Sequence, residues 1–114
     1  MKTEVSTATD FVTSLVRMTG LLTEDRLYHF SFSLQKTLLD YYEKHWFPQD
    51  PCRGSGYRCL RINHKMDPLI NKAARAVGIT KEELLALLPC ELTVWVDPHE
   101  VSYRIGENGS SCVL

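Results

Sequence analysis

The chain has 114 residues, enough for one domain with a single buried core. Hydrophobic residues make up 44% and charged residues 24%, both ordinary globular values. A net charge of −1 argues against a chain built mainly for phosphate backbones or anionic lipid, and no apolar run approaches the ~20 residues needed to span a bilayer. The start, MKTEVSTATDF, places Glu4 and Asp10 where a signal peptide needs an apolar segment, so the expected setting is intracellular. The four cysteines, Cys52, Cys59, Cys90 and Cys112, are then expected as reduced thiols.

In chain order, Val5, Ala8, Phe11, Val12, Leu15 and Val16 recur at helical spacing and predict a helix over Glu4–Met18, stopped by Gly20. Thr23 can cap a second helix, with Arg26 where a full capping box has Glu or Gln. That helix is expected from Glu24 to about Trp46, ended by Phe47-Pro48. It carries two apolar stripes. Leu27, Phe30, Leu34, Leu38 and Tyr41 form the first, and Tyr28, Phe32, Gln35, Leu39, Tyr42 and Trp46 the second. A helix apolar on two sides is expected to be packed on two sides.

Gln49–Gly56 reads as a loop, and Tyr57–Asn63 as a strand with Leu60 and Ile62 facing one way and Tyr57, Cys59 and Arg61 the other. Asp67 with Pro68 starts a helix over Pro68–Val77, stopped by Gly78. Thr80 and Glu83 form a capping box for a short helix, Glu82–Leu88, closed by Pro89. Glu91–Gly109 then reads as two strands joined at Asp97-Pro98, with an Asn-Gly turn at Asn108-Gly109. A last strand is expected over Ser111–Leu114. Tight connections make adjacent strands antiparallel, so the class is α+β, a small sheet with several helices, in one domain over 1–114.

Alternation in the strand at Glu91–Asp97 puts Leu92, Val94 and Val96 on the core face. Trp95 falls on the other face among Glu91, Thr93 and Asp97. A large aromatic there either lies under another element or waits for a partner. If the strands share a sheet, Tyr57, Arg61, Trp95 and Asp97 make one patch. Two aromatics beside a carboxylate and a guanidinium suit a protein-binding hot spot. Arg61, Glu91 and His99 form its expected periphery.

Other chemistries are weaker. Cys52, Cys59 and His64 lack the tight ligand pairs of a zinc site, so no metal or other cofactor is expected. Asp97, His99 and Glu100 near a turn match no nucleophile or acid–base signature, so no enzyme activity is expected. Gly54-Ser55-Gly56 lacks the rest of a phosphate-binding loop. Leu84–Leu88 matches LxxLL but reads better as core packing. The basic stretch Arg53–Lys65, with Arg53, Tyr57, Arg58 and Arg61, supports an alternative: a single-stranded nucleic-acid-binding module.

Two long segments carry a family resemblance. HWFPQDPCRGSGYRCLRINHKMDPLI (His45–Ile70) and LLPCELTVWVDPHEVSYRIGENGSSCVL (Leu87–Leu114) resemble the two signature boxes of the BTG/Tob antiproliferative family, in the family's order and nearest its short BTG members. The resemblance implies a non-catalytic α+β adaptor domain. Its implied partner is the Caf-type, DEDD-class nuclease of the cytoplasmic mRNA deadenylase complex, and its implied effect is poly(A) shortening and restrained proliferation, in cytoplasm and nucleus. In relatives, the nuclease contact rests on motif residues that fall here at Tyr57, Trp95 and Asp97. His99 stands where many relatives have an aromatic, and Cys90 where serine is common. Relatives usually continue into a tail linked to poly(A)-binding protein or arginine methyltransferase contacts. The sequence read here stops at Leu114, and those contacts are not expected from it.

Overall fold

The computed structural model describes all residues, 1–114. Its elements are α1 (Lys2–Met18), α2 (Glu24–Tyr42), α3 (Ser55–Arg58), β1 (Cys59–Asn63), α4 (Pro68–Ala76), α5 (Lys81–Leu87), β2 (Glu91–Asp97), β3 (Glu100–Ile105) and β4 (Cys112–Val113). The strands form one antiparallel sheet in the order β1-β2-β3-β4, so the expected α+β class holds. No helix is long and apolar enough to cross a membrane.

One face of the sheet and one stripe of each main helix close the core. Leu60 and Ile62 of β1 join Leu92, Val94 and Val96 of β2, all at most 2% exposed, as period-two alternation requires. Helix α1 lies against β2 and β3, with Phe11 packed on Tyr103 at 4.3 Å between ring centroids. On its other side α1 meets α2, which in turn packs on α4, where Ser33 Oγ donates to the Ala73 carbonyl (2.8 Å). The leucine-rich helix α5 buries Leu84 and Leu87, and Leu88 follows into the core, so the LxxLL match is core packing.

Caps fall where the sequence placed them. Thr23 Oγ1 accepts from the Arg26 N–H, and Thr80 and Glu83 make the full reciprocal box. Asp67 caps α4 with Oδ1, accepting from the N–H groups of Leu69 (2.8 Å) and Ile70 (3.1 Å). Its Oδ2 accepts from the Arg61 N–H (2.9 Å), which ties the helix to strand β1. Burial pushes the Asp67 carboxyl above its usual range, against the pull of these three donors.

Five expectations need correction. Helix α2 stops at Tyr42 rather than Trp46, because the chain turns there to bring the His45 carbonyl to a buried guanidinium described below. It is also packed chiefly on one side: Leu27, Phe30, Leu34 and Leu38 are buried, while Tyr28 and Phe32 of the second stripe are 66% and 62% exposed. Tyr42, not Tyr41, completes the buried stripe, since its hydroxyl donates to the buried Arg58 carbonyl at 2.7 Å. The strand expected from Tyr57 begins only at Cys59, since Ser55–Arg58 is a turn of helix entered through Gly54 in the left-handed region (φ +76°). The Asn108-Gly109 pair lies in a longer connection between β3 and β4, where a Cβ at position 109 would stand 2.5 Å from the Ile105 carbonyl oxygen.

The three donors that converge on Asp67 predict that Asp67→Ala destabilises the fold by about 1–3 kcal/mol, because orphaned N–H groups at a helix start and a strand outweigh the relief of removing a buried carboxylate. A urea titration checks this; an unchanged midpoint would show that water satisfies those donors.

Candidate functional site

The face of the sheet opposite the core carries the sequence-predicted patch. Register places Cys59, Trp95 and Ser102 in one row across β1, β2 and β3, and Arg61, Thr93 and Arg104 in the next. Trp95 is half-buried, neither covered by a helix nor fully free: the Arg104 guanidinium lies 5.7 Å from its ring centroid, a cation–π distance. Asp97 closes β2 at the end nearest α3, which packs against this strand.

Arg58 builds that end of the site. It is fully buried, and each of its five N–H groups has an acceptor. Nε donates to the Val96 carbonyl (2.7 Å). Nη1 donates to the carbonyls of His45 and Arg53 (2.8 Å to the latter), and Nη2 to the Pro51 carbonyl (2.9 Å) and Asp97 Oδ1 (2.8 Å). The guanidinium also stands 5.4 Å from the centroid of the Trp46 ring. Ser55 Oγ donates to the same Asp97 oxygen at 2.9 Å, and Asp97 Oδ2 has no hydrogen-bond partner within the chain. Asp97 is therefore held by α3 and Arg58 with one oxygen left for an outside donor. Sequence reasoning placed Arg58 among surface cations, and the structure corrects this. The only hint was local: an arginine directly before an alternating strand and after two glycines.

Tyr57, on the single turn of α3, is 61% exposed, and its ring stacks on His45 at 4.6 Å with 12° between planes. The stacking orients a side chain that the strand pleat does not. The remaining expected periphery divides. Arg61 is exposed on the outer face. Glu91 is occupied as a brace, accepting from the Glu107 N–H (2.9 Å) with one oxygen and meeting His64 Nε2 (3.0 Å) with the other. His99 sits second in a two-residue turn after Pro98 with φ +69°, the type II pattern, and its N–H donates to Glu4 Oε2 (2.9 Å). Its backbone thus ties the turn to α1, and it shares no hydrogen bond with Asp97.

The basic stretch does not form one surface. Arg53 lies over the Phe47 ring at 4.1 Å, Arg58 is buried, and Arg61 and Lys65 are exposed. That removes Arg58 from the nucleic-acid alternative. Cys52, Cys59 and His64 are not gathered, and no three His, Cys, Asp or Glu side chains meet as metal ligands. All four cysteines are free thiols.

The fold and this face define a small α+β domain that offers a rigid aromatic and charged surface. The family model described as "BTG family" matches residues 1–114. The chain is 59% identical over 111 residues to Protein BTG1 of Homo sapiens, covering 97% of this chain and 65% of the relative, so it spans about two thirds of that protein's length. It is 58% identical to Protein BTG2 of Rattus norvegicus over all of this chain and 72% of the relative, and 40% identical to Protein Tob2 of Homo sapiens over all of this chain and 33% of the relative. A solved BTG/Tob domain of C. elegans FOG-3 superposes with a TM-score of 0.82 at 25% identity, over 99% of this chain and 80% of that one. The chain belongs to the BTG family, and this membership supports a regulatory role.

The Arg58 network predicts an order of stability losses. Arg58→Met, which strands four carbonyls and Asp97, should cost about 3–5 kcal/mol, and Asp97→Ala, which leaves one guanidinium N–H unmet, about 1–3 kcal/mol. Tyr57→Ala should stay within about 0.5 kcal/mol, as for exposed side chains generally. Guanidinium chloride unfolding of the three variants checks the order. A second prediction concerns Cys59, whose thiol is pushed up first by burial and then by the nearby Asp67 charge. With less thiolate at neutral pH, it should alkylate more slowly in the native protein than exposed Cys52, Cys90 and Cys112, as mass spectrometry over a time course would show.

Proposed function

We propose that this domain is a non-catalytic adaptor that binds the Caf-type, DEDD-class nuclease of the mRNA deadenylase complex, and so promotes poly(A) shortening and restrains proliferation. Its proposed place of action is the cytoplasm and nucleus. The contact surface is Tyr57, Trp95 and Asp97.

The observation that carries this reading is the placement of Trp95. A large aromatic is exposed in part on a stiff sheet face, beside a carboxylate with one oxygen uncommitted and within the strand pair that leads to an exposed tyrosine. Such a side chain loses little conformational freedom on association, because the framework has already restricted it. Hot spots favour tryptophan and tyrosine in this setting. Identity of 55–59% with BTG1 and BTG2 proteins supports carrying the family's partner to this chain.

Val94 and Trp95 separate fold from binding, because the pleat sends neighbours to opposite faces. Val94 is fully buried, and Val94→Ala should cost roughly 1–3 kcal/mol of stability while leaving affinity nearly unchanged in the folded fraction. Trp95→Ala should lose about 2–4 kcal/mol of association, roughly thirtyfold to thousandfold in affinity, with a small shift of the folding midpoint. Asp97→Ala should lose both, because Arg58 depends on it. Calorimetric titration with the purified nuclease, paired with denaturant unfolding, tests all three. Full affinity in Trp95→Ala would remove the surface from this role.

A further inference from the structure

Across the outer face, Arg61, Thr93 and Arg104 stand opposite one another in register on β1, β2 and β3. The three residues line one depression together with Glu91 and Glu107. Thr93 is only 7% exposed although it faces away from the core, as expected where two long arginine side chains flank a short one.

Neither guanidinium of this row has an ion-pair partner in the chain, whereas Arg17, Arg26 and Arg58 each pair with a carboxylate. Three neighbouring acids are committed elsewhere, Glu91 to His64 and the Glu107 N–H, Asp67 to the N–H groups of Arg61 and Leu69, and Asp97 to Arg58 and Ser55, while the Glu107 carboxylate lines the same depression without pairing with either arginine. Arg104 Nε is buried without a hydrogen-bond partner, and an unmet donor of that kind calls for an acceptor. The row is also continuous with the aromatic patch, since the Arg104 guanidinium lies over Trp95.

We propose that Arg61 and Arg104 form a two-point clamp for carboxylates, which seats a pair of acidic side chains of the folded partner that docks on Trp95. This rests on the adaptor reading above and adds the chemistry of the partner's surface: acidic opposite the arginine row, apolar or cationic opposite Trp95 and Asp97. Strand spacing sets the two arginine backbones about 10 Å apart, which long side chains close onto acidic residues one helical turn apart. A nucleic-acid strand fits the row less well. Glu91 and Glu107 flank it on one side and Asp97 and Glu100 lie toward the other end of the sheet, so a run of phosphates along the sheet would meet carboxylates at both ends, whereas two acidic groups seated between the arginines meet them at one.

The test uses the whole domain and the purified Caf-type nuclease. Arg61 is exposed, so Arg61→Glu should keep the wild-type unfolding midpoint. It should weaken binding about tenfold or more near physiological salt and flatten the dependence of affinity on salt. Arg61→Lys should retain most of the affinity, and Arg61→Glu combined with Arg104→Gln should lose more than either alone. Replacing an acidic pair on the nuclease by lysine should restore binding to Arg61→Glu. Affinity of Arg61→Glu within about twofold of wild type, with Trp95→Ala still defective, would overturn the clamp and leave the adaptor reading standing. Absence of any wild-type affinity for the nuclease would end both. A single-stranded adenosine oligomer that binds wild type and is lost by Arg61→Glu, with nuclease affinity unmoved, would reassign the row to nucleic acid and overturn the clamp.

Discussion

The buried guanidinium of Arg58 is the constraint on which this end of the molecule depends. Removing an arginine side chain from water is costly unless every donor finds an acceptor, and here four backbone carbonyls and one carboxylate supply them. Those acceptors come from three separate parts of the chain: the exit from α2, the loop that follows it, and the last residues of β2. Their shared partner fixes where α2 stops, how the loop returns and where Asp97 stands. Gly54 belongs to the same arrangement, since a Cβ there would lie 3.1 Å from Arg58 Nη1 and 3.2 Å from the His45 carbonyl oxygen.

This coupling explains why fold and binding surface are not independent at Asp97. Its Oδ1 completes the guanidinium shell and accepts from Ser55, and its Oδ2 is left without a partner in the chain. A surface carboxylate that must hold one position for an incoming donor is better placed on such a shell than on a free side chain, because the ordering cost is met when the domain folds. Trp95 is held more lightly, by the pleat of β2 and the guanidinium of Arg104. Its removal exposes sheet rather than opening a cavity. Val94, one residue away, has the opposite character, with its whole side chain in the core.

The outer face sorts its charges by commitment. Asp67, Glu91 and Asp97 are spent on backbone donors, His64 or Arg58, while Arg61 and Arg104 pair with no carboxylate. A protein of net charge −1 thus presents a strip with two unpaired arginines next to an aromatic, a distribution that overall charge does not reveal. Family membership and the solved BTG/Tob domain give the fold its context. The strip is a feature of how these particular side chains are paired.

What the sequence determined by itself was the part of the fold where short-range rules met no competing tertiary contact. Period-two alternation assigned Leu92, Val94 and Val96 to the core and Trp95 to the other face, and the caps at Thr23, Asp67 and Thr80 follow from local hydrogen bonding. The two signature-like segments brought Tyr57, Trp95 and Asp97 to attention through resemblance. Tertiary structure decided what depends on distant partners. A charged residue in a basic stretch reads as surface until carbonyls from residues 45, 51, 53 and 96 converge on it, and its local setting, two glycines before and an alternating strand after, is too weak a hint to announce that convergence. The same holds for Tyr42 over Tyr41 in the core: both lie within the reach of the helix stripe, and the hydrogen bond to the Arg58 carbonyl selects one. Periodicity reports which way a side chain leaves its own element; only the packed chain settles what it meets there.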